Sequence, residues 1–311
     1  MMLHHSLDSL RGRLREPVAT IGNFDGLHRG HQAILDQVLT RARALGGTSL
    51  VITFDPHPLK ILAPERAPKM ILTPTQKLRR IEEAGIDAVL VLPFDTSLAA
   101  VTAEAFVTDY LWHGLELKEV YVGANFNFGH GRAGNADLLV TLCERLCLRA
   151  GKVAEVRFLG SPVSSSRIRR AVQAGEVELT RELLGRPFAV EGTVGHGAGR
   201  GAGLGFPTAN LLPRNELIPQ DGVYVTQAVL DGRPVPSVTN IGSRPTFADQ
   251  AFVVETHLLD AGGDLYGRML EIAFLARLRQ ELRFDSPQAL VEQVRRDIER
   301  AREFFRSGSA S

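Results

Sequence analysis

The stretch VATIGNFDGLHRGH, residues 18–31, decides the fold of the first half of this chain. Residues 18–24 form an apolar, β-branched run that predicts a buried strand. A turn rich in glycine follows, and residues 30–45 then carry an apolar side chain every three or four positions, which predicts an amphipathic helix. A strand that passes through such a turn directly into a helix is the opening unit of an α/β sheet.

Further apolar runs continue this alternation at residues 49–54, 88–94, 120–126 and 153–159. Helical patterns separate them at residues 73–84, 102–112 and 135–150. Five buried parallel strands in a doubly wound α/β sheet account for this order. A last helical stretch, residues 166–184, leads to the sequence GRPF at residues 185–188, where the composition changes. We therefore predict one domain over residues 1–185 and a second over residues 186–311.

The second half reads as strands interrupted by glycine and proline. The predicted strands cover residues 189–194, 222–230, 236–241, 253–258 and 269–275. Their short lengths and the turn residues between them predict a small antiparallel barrel. Ser286 and Pro287 then form an N-cap and first-turn pair, and apolar residues repeat every three or four positions from Leu290 to Phe305. A terminal helix is expected to pack on the barrel.

The composition of the chain indicates which kinds of molecule it binds. The chain has 311 residues, 44% hydrophobic and 23% charged, with a formal net charge of +1. No basic patch for nucleic acid or for a membrane surface is visible, and no run approaches the roughly 18 apolar residues of a membrane span. Small-molecule partners and a cytoplasmic location are expected, and the sequence leaves the oligomeric state unknown. Cys143 and Cys147, the only cysteines, are expected to be buried thiols.

The first candidate site lies in the turn after residues 18–24. Ligands of open α/β sheets bind at the carboxyl ends of the strands, where a helix N-terminus offers free N–H groups to phosphate. Gly22, Gly26 and Gly30 let the backbone approach an anion closely, and His28 and His31 can donate hydrogen bonds to it. This pattern favours phosphate chemistry. The alternative is a pair of surface histidines, or half of a metal site.

The same segment resembles the Gly-x-Phe-Asp-Gly-x-His-x-Gly-His signature of the adenylyltransferase half of bacterial bifunctional riboflavin kinase/FAD synthetases. Three further stretches resemble motifs of that family in the same order: residues 53–58 (TFDPHP), 122–129 (VGANFNFG) and 163–169 (VSSSRIR). In the last of these, Ser166 stands where the family motif has threonine. His57, between two prolines, is either part of the site or a rigid turn.

The resemblance implies roles for individual residues of the first half. Its expected catalytic residues are His28, His31 and Arg169, and Arg169 balances charge on the departing pyrophosphate. The residues expected to contact ATP phosphates are Gly22, Asn23, Phe24, Gly26, Gly30, Ser165 and Ser166. Asn125 and Phe128 are expected to contact the flavin. For Ser165, Ser166 and Arg169 the alternative is a helix N-cap followed by a surface arginine.

The second candidate site lies in the barrel. Residues 195–211, GHGAGRGAGLGFPTANL, contain no Walker motif and no dinucleotide fingerprint, but the PTAN tetrad resembles the metal and phosphate motif of riboflavin kinases. The resemblance assigns Gly203 and Gly205 to ATP, and Thr208 and Asn210 to Mg²⁺ as hard oxygen ligands. A plain glycine-rich linker is the alternative.

Residues 239–247 and 254–260 also resemble the kinase half, and within them Glu255 is the expected general base. The alternative for Glu255 is an outward-facing glutamate on a strand. Residues 276–283 match the family less closely, which leaves the flavin contacts of that segment open.

Taken over nearly the whole chain, the resemblance implies a Rossmann-like nucleotidyltransferase domain followed by a six-stranded flavokinase barrel. The expected activities are ATP-dependent phosphorylation of riboflavin to FMN and adenylylation of FMN to FAD, with Mg²⁺ as cofactor. Two other readings stay open at this point. One half alone is competent, or the chain is a flavin or nucleotide binder that has lost turnover.

Overall fold

The computed structural model describes residues 1–196, 205–230, 232–245, 250–260 and 263–308. It divides the chain into two compact units, Met1–Ser164 and Ser165–Ser311. This division falls earlier in the chain than the domain boundary expected after Gly185, which stays a prediction. The two units are described separately below.

The first unit is built around a parallel sheet of six strands, all within the fully described residues 1–164. They are β1 (Met2–His4), β2 (Val18–Ile21), β3 (Ser49–Asp55), β4 (Ala88–Pro93), β5 (Glu119–Gly123) and β8 (Arg149–Val153). Their order across the sheet is β1-β4-β3-β2-β5-β8. Two short ribbons accompany the sheet, one formed by β6 (Asn127–Phe128) and β7 (Gly134–Asn135), the other by β9 (Arg157–Phe158) and β10 (Ser161–Pro162).

The strand order reverses between β2 and β5, which lie side by side although much of the unit separates them in sequence. Ligands of open α/β sheets bind at such a reversal, outside the carboxyl ends of the strands. The central strands are buried along most of their length, as their apolar sequences predict. The predicted parallel sheet is confirmed with six strands instead of five, because the short edge strand β1 was not predicted. Its switch point lies where β2 runs into the turn at residues 22–28.

Helices connect these strands. They are α1 (Arg29–Leu45), α2 (Pro58–Leu62), α3 (Pro74–Glu83), α4 (Thr96–Ala99), α5 (Ala103–Ala105) and α6 (Ala136–Arg145), with short 3₁₀ turns at Pro64–Arg66 and His130–Arg132. Helix α5 continues into a wider π-type segment, Phe106–Gly114, where a regular helix was expected. Thr73 caps α3 through a reciprocal capping box with Gln76, so the helix begins at the proline that the sequence marks.

The last predicted strand of the sheet was misplaced. The alternating residues 153–159 were expected to form it, whereas β8 covers Arg149–Val153 and pairs with β5 alone. Gly151 contributes no side chain, and a Cβ there would lie 2.7 Å from Cε1 of Tyr121. The sequence of β8, RAGKV, has no continuous apolar run, so the strand was not recognised. Helix α6 ends at Arg145, whereas the helical pattern was expected to continue to residue 150.

The second unit contains a closed antiparallel barrel. Its strands in the described part of the chain are β11 (Phe188–Gly195), β12 (Ala209–Pro213), β13 (Gly222–Leu230), β14 (Arg233–Pro245), β15 (Gln250–Leu258) and β16 (Met269–Arg279). They close in the order β11-β12-β15-β14-β13-β16, with β16 pairing back to β11. The sequence pattern located five of these six strands and missed β12, while the family resemblance gave the right number.

A chain of buried hydroxyl groups lies inside the barrel. Thr226 Oγ1 is 2.8 Å from Ser237 Oγ and 2.7 Å from Thr239 Oγ1, and Thr239 Oγ1 is 2.9 Å from Thr256 Oγ1. All four residues are almost fully buried. Each hydroxyl forms a hydrogen bond with a neighbouring hydroxyl, so these buried polar groups do not lack partners among the apolar side chains.

The C-terminal helix (Pro287–Arg306) packs on the barrel as expected. Ser286 Oγ accepts a hydrogen bond from the N–H of Ala289, which confirms the predicted N-cap. Ile298 and Ala301 are buried against an apolar cluster that includes Val223 and Leu275.

Two short helices precede the barrel in the same unit, α7 (Ser165–Gln173) and α8 (Val177–Leu184). The backbone N–H of Arg277, on β16, donates to Glu178 Oε1 at 3.0 Å, and its guanidinium donates to the Ala174 carbonyl at 3.2 Å. A Cβ at Gly175 would lie 2.7 Å from the same guanidinium. These contacts hold α7 and α8 on the barrel.

The two cysteines differ from each other. Cys143 is buried, and burial raises the pKa of its thiol to about 12. Cys147 is exposed and has a positive φ of 56°, so the expectation of a buried thiol was wrong for this residue. The loop after α6 turns outward there. Across the described residues, no helix combines the length and the apolar character needed to cross a membrane.

Candidate active sites

The first site is built on the N-terminus of α1. His28 is the N-cap residue, with extended backbone dihedrals, and its Nδ1 accepts a hydrogen bond from the His31 N–H at 3.3 Å. The His28 carbonyl accepts from the Gln32 N–H at 2.9 Å, which starts the helix. His28 is only 6% exposed. An imidazole in the capping position is thus fixed by the helix that it begins.

The His28 and His31 rings stack face to face, with centroids 3.7 Å apart and an interplanar angle of 16°. Gly30 leaves room for this stack, because a Cβ at that position would lie 3.1 Å from the His28 ring and would press on it. The spacing of two residues between the histidines, with glycine before the second, therefore has a direct steric reason. The structure brings the two predicted histidines together.

The hydrogen bonds and burial define the charge state of this pair. A backbone N–H only donates, so His28 Nδ1 is unprotonated and its ring proton lies on Nε2 when the ring is neutral. Burial, and next the neighbouring His28, lower the pKa of His31 well below its ordinary value. His31 Nδ1 is buried without a hydrogen-bond partner among the described residues. The site therefore offers N–H donors from stacked imidazoles, and His31 is neutral at neutral pH.

The loop that leads to these histidines is anchored at two points. Asp25 is buried, and its carboxylate accepts from the N–H groups of Ile71 at 3.0 Å and Leu72 at 3.2 Å. Thr53 Oγ1 donates to the Asn23 carbonyl at 3.3 Å. Gly26 has φ of 91°, a conformation that favours glycine. Asp25 was not singled out as a site residue, and its role here is to hold the loop.

The side chains of Asn23 and Phe24 are already engaged. The Asn23 amide group lies 3.2 Å from His57 Nε2, and His57 Nδ1 accepts from the Leu59 N–H as the N-cap of α2. The Phe24 ring is buried edge-on to the His31 ring, with centroids 5.2 Å apart. Any contact of Phe24 with phosphate must therefore come from its backbone. His57 is both a turn residue and a neighbour of the site loop.

Lys77 is a residue of this region that the sequence analysis missed. Its Nζ donates to Thr53 Oγ1 at 3.2 Å and lies 3.4 Å from the Phe54 carbonyl oxygen. Burial lowers the pKa of Lys77, while the carboxylates of Asp55 and Asp25 act in the opposite direction. A lysine one turn after the Thr73 cap, on the inward side of α3, is the signal that could have identified it.

The loop after β5 holds the residues predicted for flavin. Asn125 is exposed, and its amide donates to Glu155 Oε1. Phe128 is 8% exposed and packs against Phe106 and Phe126, with ring centroids 6.0 and 5.4 Å away. Both follow the strand that neighbours β2 at the switch point. The Phe128 ring contributes mainly to the core, so its contact with flavin stays a prediction.

Ser165, Ser166 and Arg169 lie in the first two turns of α7. Ser165 and Arg169 are half-buried, Ser166 is exposed, and Ile168 between them is fully buried. This helix is grouped with the barrel unit. The sequence prediction of a helix at these residues is confirmed, and their contacts with ATP stay a prediction.

The second site lies on one face of three neighbouring barrel strands. Glu255 on β15 is the register partner of Asn210 on β12 and of Asn240 on β14. Residues directly opposite in antiparallel strands point to the same face, with Cβ atoms roughly 5 Å apart. Their neighbours Val254 and Thr256 point into the barrel and are buried. The three polar residues therefore form one row on the outer face, so Glu255 faces outward as its alternative had it, and Asn240 is the member that was not predicted.

Thr208 and Gly205 precede this row. Thr208 is half-buried just before β12, and Gly205 has φ of 86°, which favours glycine. Gly203 lies outside the described residues.

No group of three or more His, Cys, Asp or Glu that could hold a metal is found in the part of the chain that the structure describes. A third ligand that would complete a metal site with His28 and His31 is therefore not found there.

Comparison with known proteins identifies both halves of the chain. The family model for FAD synthetase matches residues 11–167, and the model for riboflavin kinase matches residues 184–305. A bifunctional riboflavin kinase/FMN adenylyltransferase from Pseudomonas fluorescens is 41% identical over 97% of this chain and 97% of its own length. The protein of the same name from Escherichia coli K12 is 40% identical, covering 93% of this chain and 92% of the relative. The Bacillus subtilis relative is 34% identical, with the same coverage.

One solved structure is similar over nearly the full chain. It is described as a macrolide-efflux protein from Streptococcus pneumoniae, and it has 28% identity and a TM-score of 0.89 over 97% of this chain and 98% of its own. That description belongs to the other protein, and the similarity bears on the fold. With both family models in chain order and relatives of 40% identity across both units, this chain belongs to the bifunctional riboflavin kinase/FMN adenylyltransferase family.

Proposed function

We propose that the stacked pair His28 and His31 performs the adenylylation of FMN to FAD. In this reaction a phosphate oxygen of FMN attacks the α-phosphorus of ATP, and the bond to the bridging oxygen of pyrophosphate breaks. Negative charge builds on the equatorial oxygens, and the imidazole N–H groups donate to it from fixed positions. The observation that carries this proposal is the stack at the N-terminus of α1, where the helix dipole adds positive potential.

Other residues complete the proposed adenylyltransferase site. The backbone at Gly22, Asn23, Phe24, Gly26 and Gly30 contacts the ATP phosphates, and Ser165 and Ser166 add hydroxyl donors. Arg169 stabilises the pyrophosphate as it leaves. Asn125 and Phe128 bind FMN. The family resemblance of residues 163–169 and 122–129 supports these assignments.

In the kinase reaction the 5′-hydroxyl oxygen of riboflavin attacks the γ-phosphorus of ATP, and ADP leaves. Glu255 accepts the hydroxyl proton as the new P–O bond forms. The row of Asn210, Glu255 and Asn240 supports this role, because it sets a carboxylate between two amide groups on one face.

Thr208 and Asn210 are the residues that would hold Mg²⁺. Their hydroxyl and amide oxygens are hard donors of the kind that this ion takes. Bound there, Mg²⁺ neutralises charge on the triphosphate. The cytoplasmic location expected from the sequence stays a prediction.

The histidine assignment is tested by replacing His28 and His31 together with alanine. Removing one fixed donor typically costs about 10²–10³ in rate, so losing two should abolish FAD formation from FMN. Riboflavin phosphorylation by the same protein should stay at its wild-type rate, because it uses other residues, and it serves as the internal control. Liquid chromatography of FMN and FAD measures both products. Wild-type FAD formation in the double variant would refute the assignment.

A further inference from the structure

His257 contacts the segment that leads into the proposed Mg²⁺ ligands. Its Nδ1 lies 2.8 Å from the carbonyl oxygen of Pro207, the residue immediately before Thr208. A carbonyl oxygen only accepts, so His257 Nδ1 carries a proton and donates. The His257 ring also meets the Phe206 ring edge to face, with centroids 6.1 Å apart and planes at 88°. One side chain on β15 therefore holds two consecutive residues of the segment before β12.

The register of the barrel explains why a side chain is needed at this point. The ladder between β12 and β15 begins with Ala209 opposite Thr256, next to the pair of Asn210 and Glu255. One step further along the same register would set Thr208 opposite His257. Pro207 has no N–H and cannot extend the ladder. The hydrogen bond from His257 goes to the Pro207 carbonyl and holds the chain just before the ladder begins.

Phe206 fixes the other side of the same segment. It is half-buried and packs against the apolar cluster that joins the barrel to the C-terminal helix, which includes Val225 and Ile298. The chain is thus held by apolar packing at Phe206 and by a hydrogen bond at Pro207, immediately before Thr208. Two anchors on adjacent residues leave little freedom for the Thr208 peptide.

We propose that His257 is a positioning residue of the kinase site, which sets Thr208 and Asn210 at the separation from Glu255 that Mg²⁺ and ATP require. It acts through the Phe206–Pro207 segment and does not itself take part in proton transfer. His257 lies two residues from Glu255 on the same face of β15, so the proposed base and the anchor share one rigid strand. This inference rests on the proposed roles of Thr208 and Asn210.

Two substitutions separate the hydrogen bond from the ring contact. His257→Phe keeps an aromatic ring against Phe206 and loses the donor. His257→Asn keeps an amide N–H near the position of Nδ1 and loses the ring. A hydrogen bond is worth about 0.5–1.5 kcal/mol, so His257→Phe should raise the KM for ATP in FMN formation roughly 3- to 10-fold, with kcat within about twofold. His257→Asn should restore most of the wild-type KM.

The measurement is the initial rate of FMN formation at varied ATP and Mg²⁺, in the full chain. Circular dichroism and the unfolding temperature check that the barrel is folded in each variant, and FAD formation from added FMN should be unchanged. Asn210→Ala and Thr208→Ala are measured in parallel. A raised KM in His257→Phe, with recovery in His257→Asn, supports the proposal.

Three other results overturn it. An unchanged KM in His257→Phe, beside a raised KM in Asn210→Ala, rejects the anchor and leaves the metal ligands standing. A fall in kcat alone means that His257 acts on the chemistry instead. If Asn210→Ala and Thr208→Ala both leave the KM unchanged, the metal assignment fails and the inference built on it fails too.

Discussion

Glu255 and Asn210 are register partners, yet we expect their substitutions to fail in different ways. Glu255→Gln keeps the shape and hydrogen bonding of the side chain but cannot accept a proton, so kcat for FMN formation should fall about 10²–10⁴-fold while riboflavin and ATP still bind. Asn210→Ala removes an oxygen ligand, so the apparent affinity for ATP and Mg²⁺ should weaken and excess Mg²⁺ should partly restore the rate.

Kinetics at varied Mg²⁺ distinguish the two defects, and FAD formation from FMN is the control for both variants. Full turnover by Glu255→Gln would mean that another group is the base.

The lowered pKa of His31 makes a prediction about stability. Its ordinary value is 6.5, and burial, followed by the neighbouring His28, places the folded-state value below that. Well above pH 6.5 the His31 ring is neutral in both the folded and the unfolded chain, so its contribution to the free energy of unfolding is fully present. As the pH falls below 6.5, the unfolded chain binds a proton at His31 that the folded chain does not, so stability is lost toward the folded-state pKa.

The free energy of unfolding should therefore fall more steeply from pH 7 to pH 5 in the wild type than in His31→Asn, by up to about 1.4 kcal/mol per pH unit. Denaturant titrations of the first unit's transition at each pH measure this. His113→Asn, which changes an exposed histidine, is the control. Parallel curves for the wild type and His31→Asn would contradict the expected charge state.

At the scale of elements, a buried ion pair joins the C-terminal helix to β16. The Arg279 Nη2 lies 2.8 Å from Asp297 Oδ2, and the two side chains are 15% and 2% exposed. Gln293 also donates to Asp297 at 2.9 Å. Asp297→Ala leaves the largely buried guanidinium of Arg279 without its carboxylate, so we expect a loss of about 3 kcal/mol in the unfolding free energy of the barrel unit.

A second pair supplies the matched control. Arg302, on the same helix, lies 2.9 Å from Asp260, but these side chains are 46% and 77% exposed. Arg302→Ala should cost no more than about 1 kcal/mol. Calorimetric unfolding of the full chain measures both variants. Equal losses in the two variants would show that burial of the pair does not decide its contribution.

The same comparison of elements shows what sequence patterns could and could not predict. Strands β2 to β5 and the Ser286 cap were predicted because their side chains face a core or close a helix end. Strand β12 was missed since its sequence ANLLP leaves Leu212 exposed and follows a glycine-rich stretch. The sequence indicated that His28 and His31 belong to one site, but it did not predict that their rings stack. The stack depends on the space that Gly30 leaves beside the His28 ring, which only the structure shows. Lys77 and Asn240 could be recognised as site neighbours only from the folded structure, because contacts between distant parts of the sequence bring them to the sites.

At the scale of the whole molecule, the compact units predict how the chain can be divided. Val177, Leu183 and Leu184 are buried in the unit that begins at Ser165, and Arg277 ties α7 and α8 to the barrel. A fragment of residues 165–311 should therefore unfold at a temperature more than about 5 °C above that of residues 186–311. Both fragments should form FMN and neither should form FAD.

Thermal unfolding and product chromatography of the two fragments test this. Equal unfolding temperatures would favour the boundary after Gly185. A folded 165–311 fragment that cannot phosphorylate riboflavin would mean that the kinase site needs groups from the first unit.

The hydroxyl chain inside the barrel constrains how this protein can evolve. Replacing Thr239 alone by valine would remove one of the two hydroxyl partners of Thr226 and the hydroxyl partner of Thr256. Replacing all four residues by apolar ones of similar shape would leave no polar group without a hydrogen bond. The effects of these substitutions are therefore not additive. During evolution, the four hydroxyl residues can be replaced by apolar ones only through intermediates that are less stable. We therefore expect positions 226, 237, 239 and 256 to covary among related barrels.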